Sequence, residues 1–376
     1  MDIEMLFEEV KTIRRDLHRI PELSFDLPET SRYIRDKLIS YGYEPVSTAE
    51  TGWIAVLPGK TSEAAAFRAD MDGLRVSEKT EREFSSIHEG TMHACGHDGH
   101  MALLLGFAQY IRSIDTPDKT IVLVFQPAEE GPGGAKVIME EGILQKLNVK
   151  RIYGFHLYPG LSKGKLGLCS GPFMARNGEF DIDIQGESSH AGQPHLGHDA
   201  LIASAQVILG IQTILSRNLD PLSPAVINAG TLHGGTARNI VAGSASIEGT
   251  IRAFDKETYQ EIRRSLKRTV EGIGLMNKVS ISLDIRDFYP EVRNDPVLVE
   301  EVFSVMNKDE VEMIKPLMLA EDFSFYQEEI PGVFMFLGTR DEELGQIYPL
   351  HNEKFDFDER VLLKGIEIYR RILENL

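Results

Sequence analysis

Five of the eight residues in HACGHDGH (93–100) can bind a metal ion or move a proton: His93, Cys95, His97, Asp98 and His100. Three readings fit the stretch alone. It is a metal site, a cysteine nucleophile with His93 or His97 as its base, or a crowded turn leading into a helix. Other segments concentrate similar groups. RADMD (68–72) brings Asp70 and Asp72, and QPAEEG (126–131) brings Glu129 and Glu130. HLYP (156–159) brings His156, and LHNEKFDFDE (350–359) brings His351. Sulfur, nitrogen and oxygen ligands together suit zinc, manganese, nickel or cobalt better than magnesium or calcium. The adjacent glutamates suggest divided labour, because neighbouring side chains in a loop diverge. One carboxylate can bind metal while the other takes a proton from a water and returns it to a leaving amine. Taken singly, such a pair is most often surface decoration. A thiol mechanism would use Cys95 and leave the Glu pair, His156 and His351 idle.

These groups need elements that bring them together. Residues 4–19 and 29–41 read as helices. WIAVLP (53–58), AAAFRA (64–69), TIVLVF (120–125) and RIYGF (151–155) read as buried strands, with helices at 98–112 and 133–146. Strands apolar on both faces, alternating with helices, indicate an α/β fold with a mostly parallel sheet and helices on both faces. From 179 the pattern changes to half-exposed strands in the order β-α-β-β-α-β, the split, ferredoxin-like α+β arrangement. The α/β pattern returns with a helix at 296–306, the strand VFMFLG (333–338) and a helix at 357–375. The expected organisation is a catalytic domain of 1–175 and 290–376 with a domain of 176–289 inserted. The polar segments at 68, 126, 156 and 338 follow predicted parallel strands, where the ligand crevice of an open α/β sheet lies. Asp98 is expected to cap or support the helix that starts there. His18 and His88 are expected at the surface, and Cys169 is expected to pack as a small hydrophobe.

The chain of 376 residues carries a formal charge of -18, which argues against general binding to nucleic acid or anionic membranes. Two cysteines give no disulfide framework and fit a reducing cytosol. The first residues read as an amphipathic helix rather than a signal peptide. The run MALLLGFA (101–108) is too short to span a bilayer.

The chain resembles the metallo-amidohydrolases and exopeptidases that include aminoacylase and carboxypeptidase G. Within them it is similar to the branch of hippurate hydrolases, auxin-conjugate hydrolases and N-acetyldiaminopimelate deacetylases. The resemblance covers nearly the whole chain. It rests on RRDLHRIPELSF (14–25), RADMDGL (68–74), MHACGHDGHM (92–101), FQPAEEGPGGA (125–135), GFHLYP (154–159), SSHAGQPHLGHDA (188–200), ARNIVAGSASIEGTIRAFD (237–255), AEDFSFY (320–326) and LHNEKFDFDE (350–359). It implies a zinc-exopeptidase-like catalytic domain, an inserted lid or dimerisation domain, and a homodimer or tetramer formed through that lid. It also implies two divalent ions per subunit, manganese, zinc, nickel or cobalt. Their ligands would be Cys95, His97, Glu130, His156 and His351, with Glu129 as general base. Related branches have His-x-Asp where this chain has Arg68-Ala69-Asp70. Cys95 would replace the missing His, and Asp70 would orient a ligand. His190 would donate to the substrate carbonyl oxygen, from the partner subunit in one version. Asn239 and Arg252 would hold the substrate carboxylate. The implied activity is amide hydrolysis of N-acyl amino acids in the cytoplasm, with N-acetyl-L,L-diaminopimelate one candidate substrate. The alternatives are a hippurate hydrolase, a dipeptidase or carboxypeptidase, or an inactive scaffold of this fold. No ligand is missing, which weighs against the scaffold.

Overall fold

Every residue of Ala64–Asp70 is buried, which only a central strand covered on both faces allows. The computed structural model describes residues 2–376 and divides into two compact units. The first runs up to Gly171 and adds Arg293–Pro316 and Asp322–Leu376. The second is Pro172–Val292 with Leu317–Glu321. The breaks stand beside those expected at 175/176 and 289/290. The short return at Leu317–Glu321 was expected in the first unit, and no change of pattern marks it.

The first unit holds an eight-stranded sheet in the order Val46–Thr48, Gly52–Leu57, Thr120–Gln126, Ala64–Asp70, Val149–Ser162, Gly332–Arg340, Leu166–Leu168 and Val311–Met313. The four strands from Thr120–Gln126 to Gly332–Arg340 are mutually parallel. Gly52–Leu57 pairs antiparallel with Thr120–Gln126. Two polar segments lie differently from expectation. Arg68 and Asp70 are at the C-terminal end of their strand rather than after it, and Val149–Ser162 runs on through His156. The buried apolar neighbours on both sides carry the pleat across these polar positions.

Helix His97–Arg112 packs between Phe7–His18 and Arg360–Leu373, and all of it but Gln109 and Arg112 is buried. A Cβ on Gly106 would lie 2.6 Å from Ile366 and 2.7 Å from Val10, so glycine lets the three helices close up. Beneath them Phe67, Phe107, Phe155 and Tyr369 form an aromatic cluster, with Phe155 and Tyr369 centroids 4.5 Å apart. Each such side chain contributes about 1.5–3 kcal/mol on burial. The helix expected over 133–146 is broken at Gly142, whose φ of 68° ends Gly134–Glu141 before Ile143–Lys146.

The second unit is β-α-β-β-α-β. Its antiparallel sheet has the order Ser280–Asp287, Arg176–Gln185, Ser244–Ala253, Ala225–Gly234. Phe180, Ile182, Ile184, Ile247 and Ile251 alternate inward and bury against Val207, Ile211, Tyr259 and Leu266 of the two helices. Asp199 and Asp255 cap those helices, Ala200–Thr213 and Lys256–Asn277. Among the described residues one helical stretch, Ala200–Asn218, is long and apolar enough to cross a membrane (mean hydropathy 1.4), and 33% of that window is buried. Its Ala203, Val207 and Ile211 pack on the sheet, so at least that face belongs to this unit's core.

Candidate metal centre

The first unit brings all five expected ligands together. After strand Thr120–Gln126 the chain turns at Ala128, with φ 59°. The Ala128 carbonyl accepts from Gly133 N and Gly134 N, both at 3.1 Å. A Cβ on Gly134 would stand 1.9 Å from the Pro127 oxygen, so the tight turn requires glycine. The Asp72 carboxylate accepts from Glu129 N (3.0 Å) and Glu130 N (3.1 Å). It thereby pins the backbone of the glutamate pair. Gly96, with φ 88°, starts the helix whose first residue is His97. His351 also has positive φ, 64°, and its N–H donates to the Ala94 carbonyl at 2.9 Å. That bond ties the His351 loop to the Cys95 segment.

Within this frame the donor atoms converge. Cys95 Sγ is 3.2 Å from His156 Nε2, and His351 Nε2 is 3.3 Å from Glu130 Oε1. His97 Nε2 is 3.9 Å from Glu130 Oε1 and 4.0 Å from Glu129 Oε2. Cys95, His97 and His156 offer ligand atoms within 4.8 Å of one another, and so do Cys95, Glu130 and His351. The two sets share Cys95. A third, of His97, Glu129 and Glu130, and a fourth, of Asp70, His97 and His100, meet the same limit.

The electrostatics fit a cation here. His97 is fully buried, and neither ring nitrogen has a hydrogen-bond partner among the described residues. Burial opposes its charge, but Asp70, Asp72 and Glu130 outweigh burial and push its pKa to about 10. The surrounding carboxylates thus demand a positive charge that a divalent ion would also supply. Burial pushes the Cys95 thiol up, and Glu130 and Glu129 push it further. His156 Nδ1 donates to the Leu157 carbonyl at 2.7 Å, which leaves Nε2 as an acceptor facing Cys95. Burial, then His100, lowers the His156 pKa to about 3, so the ring stays neutral and able to ligate.

Around this cluster lies a buried polar shell. Asp70 is bound by Arg68 Nη1 and by His100 Nδ1, both at 2.6 Å, and stands 3.7 Å from His97 Nδ1. His100 Nε2 accepts from Leu157 N at 2.9 Å. Arg68 also reaches Asp322 and Gln126, at 2.9 and 2.8 Å, and Asp322 accepts from Ala135 N at 3.0 Å.

One expectation fails here and another holds only in part. Asp98 does not cap its helix. It accepts from Arg14 Nε and bonds His18 Nδ1, both at 2.8 Å. His18 is not at the surface but buried between Asp98 and Glu78, because it shares a helix face with Arg14 four residues earlier. That i, i+4 spacing of polar groups within an otherwise apolar face was the available signal. His88 is partly buried, with its Nδ1 against the Pro21 carbonyl. Cys169 is buried. Asp72 and Asp322, the latter within AEDFSFY, carried no assigned role in the sequence.

The remaining candidates belong to the second unit. His190 bridges to Ile240, and Ala191 N donates to the Asn239 carbonyl at 3.0 Å. His190 and Asn239 therefore stand in one loop pair. Gly192 N donates to His190 Nδ1 at 3.0 Å, so a neutral ring carries its proton on Nε2. Arg252 lies near the far end of Ser244–Ala253, half-buried, and its Nη1 has no hydrogen-bond partner among the described residues. Burial lowers its pKa. Eight residues of strand, roughly 26 Å, separate it from the end where the His190 loop pairs. His195 is exposed, and His198 Nδ1 lies 3.4 Å from Glu187.

A set of thiol, imidazole and carboxylate donors, buried except at Glu130 and His351, with a second glutamate beside it on a mostly parallel sheet, fits a metal-dependent hydrolase of amides. The sequence matches the family model described as peptidase family M20/M25/M40 over residues 66–375, and the chain belongs to that family. It is 36% identical to the N-acetyldiaminopimelate deacetylase of Leuconostoc mesenteroides, across 98% of this chain and 97% of that one. It is also 36% identical to the Bacillus subtilis protein of the same name, across 97% of each. The fold superposes on the B. subtilis YXEP protein, described as a dinuclear metal binding peptidase from the M20 family. The TM-score is 0.86, with 31% identity and 98% of each chain covered. The resemblance drawn from the sequence motifs and the mostly parallel α/β fold both hold.

Proposed function

We propose that this chain hydrolyses N-acyl amino acids and that N-acetyl-L,L-diaminopimelate is its substrate. The observation that carries the hydrolytic reading is the overlap of the two possible ligand sets at Cys95, with Glu129 at their side. The substrate rests on the name shared by relatives that match nearly the whole chain. In this reading Cys95, His97, Glu130, His156 and His351 hold two divalent ions. Bound there, manganese, zinc, nickel or cobalt would acidify a water and polarise the acyl carbonyl.

The chain's own residues do the rest. Glu129 takes the water's proton and returns it to the amine as it leaves. Asp70, fixed by Arg68 and His100, holds a negative charge 3.7 Å from His97 Nδ1. His190 presents Nε2–H to the oxygen that gains charge. Asn239 and the half-buried Arg252 hold the substrate carboxylate. An N-acyl amino acid is far shorter than the roughly 26 Å between Arg252 and the His190 end of the sheet. One copy therefore cannot place Arg252 and the His190–Asn239 loop pair on one substrate, which favours a homodimer in which His190 and Asn239 serve the partner subunit. The two cysteines suit a cytoplasmic setting.

The test is a panel of N-acetyl-L,L-diaminopimelate, other N-acetyl amino acids, hippurate and dipeptides, assayed with each of the four metals. The diaminopimelate derivative is expected to show the highest kcat/KM. A higher value for hippurate or a dipeptide overturns the substrate, and hydrolysis of none overturns the activity.

A further inference from the structure

The segment RRDLHRIPELSF takes no part in the chemistry above, yet Arg14 is among the most buried side chains, 1% exposed. Its Nε donates to Asp98 Oδ2 at 2.8 Å and its Nη2 to Asp356 Oδ1 at 2.9 Å. Nη1 lies 3.5 Å from Glu359 Oε1, a carboxylate that Arg15 binds from the outside at 2.6 Å. The guanidinium also sits against the rings of Phe357 and Phe84, at 4.5 and 4.8 Å. A buried cation needs such partners, because desolvation alone is strongly unfavourable.

Which acids it binds is the informative point. Asp98 directly follows His97, at the start of helix His97–Arg112. Asp356 and Glu359 close the segment that carries His351. His97 belongs to the set with Cys95 and His156, and His351 to the set with Cys95 and Glu130. One rigid fork thus joins the segments that supply one ligand to each set. A lysine, with a single point charge on a flexible stem, could not bridge both carboxylates in a fixed geometry.

We infer that Arg14 is a positioning residue that sets the separation between the His97 side and the His351 side of the metal centre. This rests on the ligand assignment of the preceding section. The test is a chelator-competition titration with zinc and with cobalt on the purified, full-length protein. The variants are Arg14→Lys and Asp356→Asn, with Ile13→Ala as control. Ile13 is fully buried on the same helix and is apolar, so its loss destabilises without touching the acids.

Both Arg14→Lys and Asp356→Asn are expected to weaken one of the two ions by about tenfold or more, while Ile13→Ala changes either affinity by less than about twofold. The ligand-field spectrum of the cobalt-loaded protein should change in the first two variants and not in the third. Wild-type affinities and spectra in Arg14→Lys and Asp356→Asn overturn the inference. So does equal weakening in Ile13→Ala, which would mark a general loss of stability. Wild-type protein that binds fewer than two ions overturns the ligand assignment, and this inference with it.

Discussion

Glu129 and Glu130 are neighbours with different surroundings. Glu130 faces His351 and His97, while Glu129 has an oxygen 4.0 Å from His97 Nε2. The expected division is that Glu129 moves protons and Glu130 ligates. In Glu129→Gln the metal-to-protein ratio should stay at its wild-type value while kcat falls about 10²–10⁴-fold. Full turnover in that variant would remove Glu129 from the role. Cys95 belongs to both overlapping sets, so Cys95→Ala should lower the metal-to-protein ratio in elemental analysis. An unchanged ratio would count against ligation. At this scale the residue types were legible, since thiol, imidazole and carboxylate in one chain restrict the chemistry. Their partners were not. Arg14 and Asp98 are 84 residues apart, and Arg68 meets Asp322 from the other end of the chain. Such pairings leave no local period to read. Asp72 looked like one more acidic candidate, but it serves as the anchor for two backbone N–H groups.

Among the elements, the turn after Thr120–Gln126 is the most exacting. A methyl group on Gly134 would collide with a backbone oxygen, not with a side chain that could swing aside. Gly134→Ala should therefore cost about 3 kcal/mol or more. Urea unfolding should show a lower midpoint with an unchanged slope, and weaker metal binding should accompany it because the same turn aims Glu129 and Glu130. A wild-type midpoint would contradict this. The segment after Leu74 contributes a pH dependence. Burial would raise the Glu78 carboxyl, but His18, Thr80 and the Ser86 N–H outweigh it and hold the pKa at about 2. The folded value lies below the unfolded one. Its contribution is therefore complete above the unfolded carboxylate range and is lost as pH falls from about 4 towards 2. Unfolding of wild type and Glu78→Gln should differ most at neutral pH and converge in acid. A constant difference would exclude the linkage. Long apolar runs such as TIVLVF announced their strands. Val46–Thr48, Leu166–Leu168 and Val311–Met313 did not, because three residues are too few to show a period.

For the molecule as a whole, the change from strands apolar on both faces to alternating strands marked the second unit in the sequence. What an isolated chain does not reveal is how many copies make a working site. His190→Ala should reduce kcat and leave the metals in place. Mixed dimers of His190→Ala and Glu129→Ala chains should then show activity that neither parent has, since one intact site can form from two defective chains. No recovery would exclude delivery across subunits.

The strand order carries one more consequence. Gly332–Arg340 lies inside the large sheet, hydrogen-bonded to Val149–Ser162 on one side and Leu166–Leu168 on the other. During synthesis Val149–Ser162 leaves the ribosome long before that neighbour exists. The antiparallel sheet of the second unit, by contrast, has all four strands once residue 287 has emerged. The inserted unit can thus fold first, while the half-built sheet waits with an open edge. That order leaves the nascent chain open to sticking and cleavage from the emergence of Val149–Ser162 until Gly332–Arg340 follows, the interval in which chaperone protection matters most.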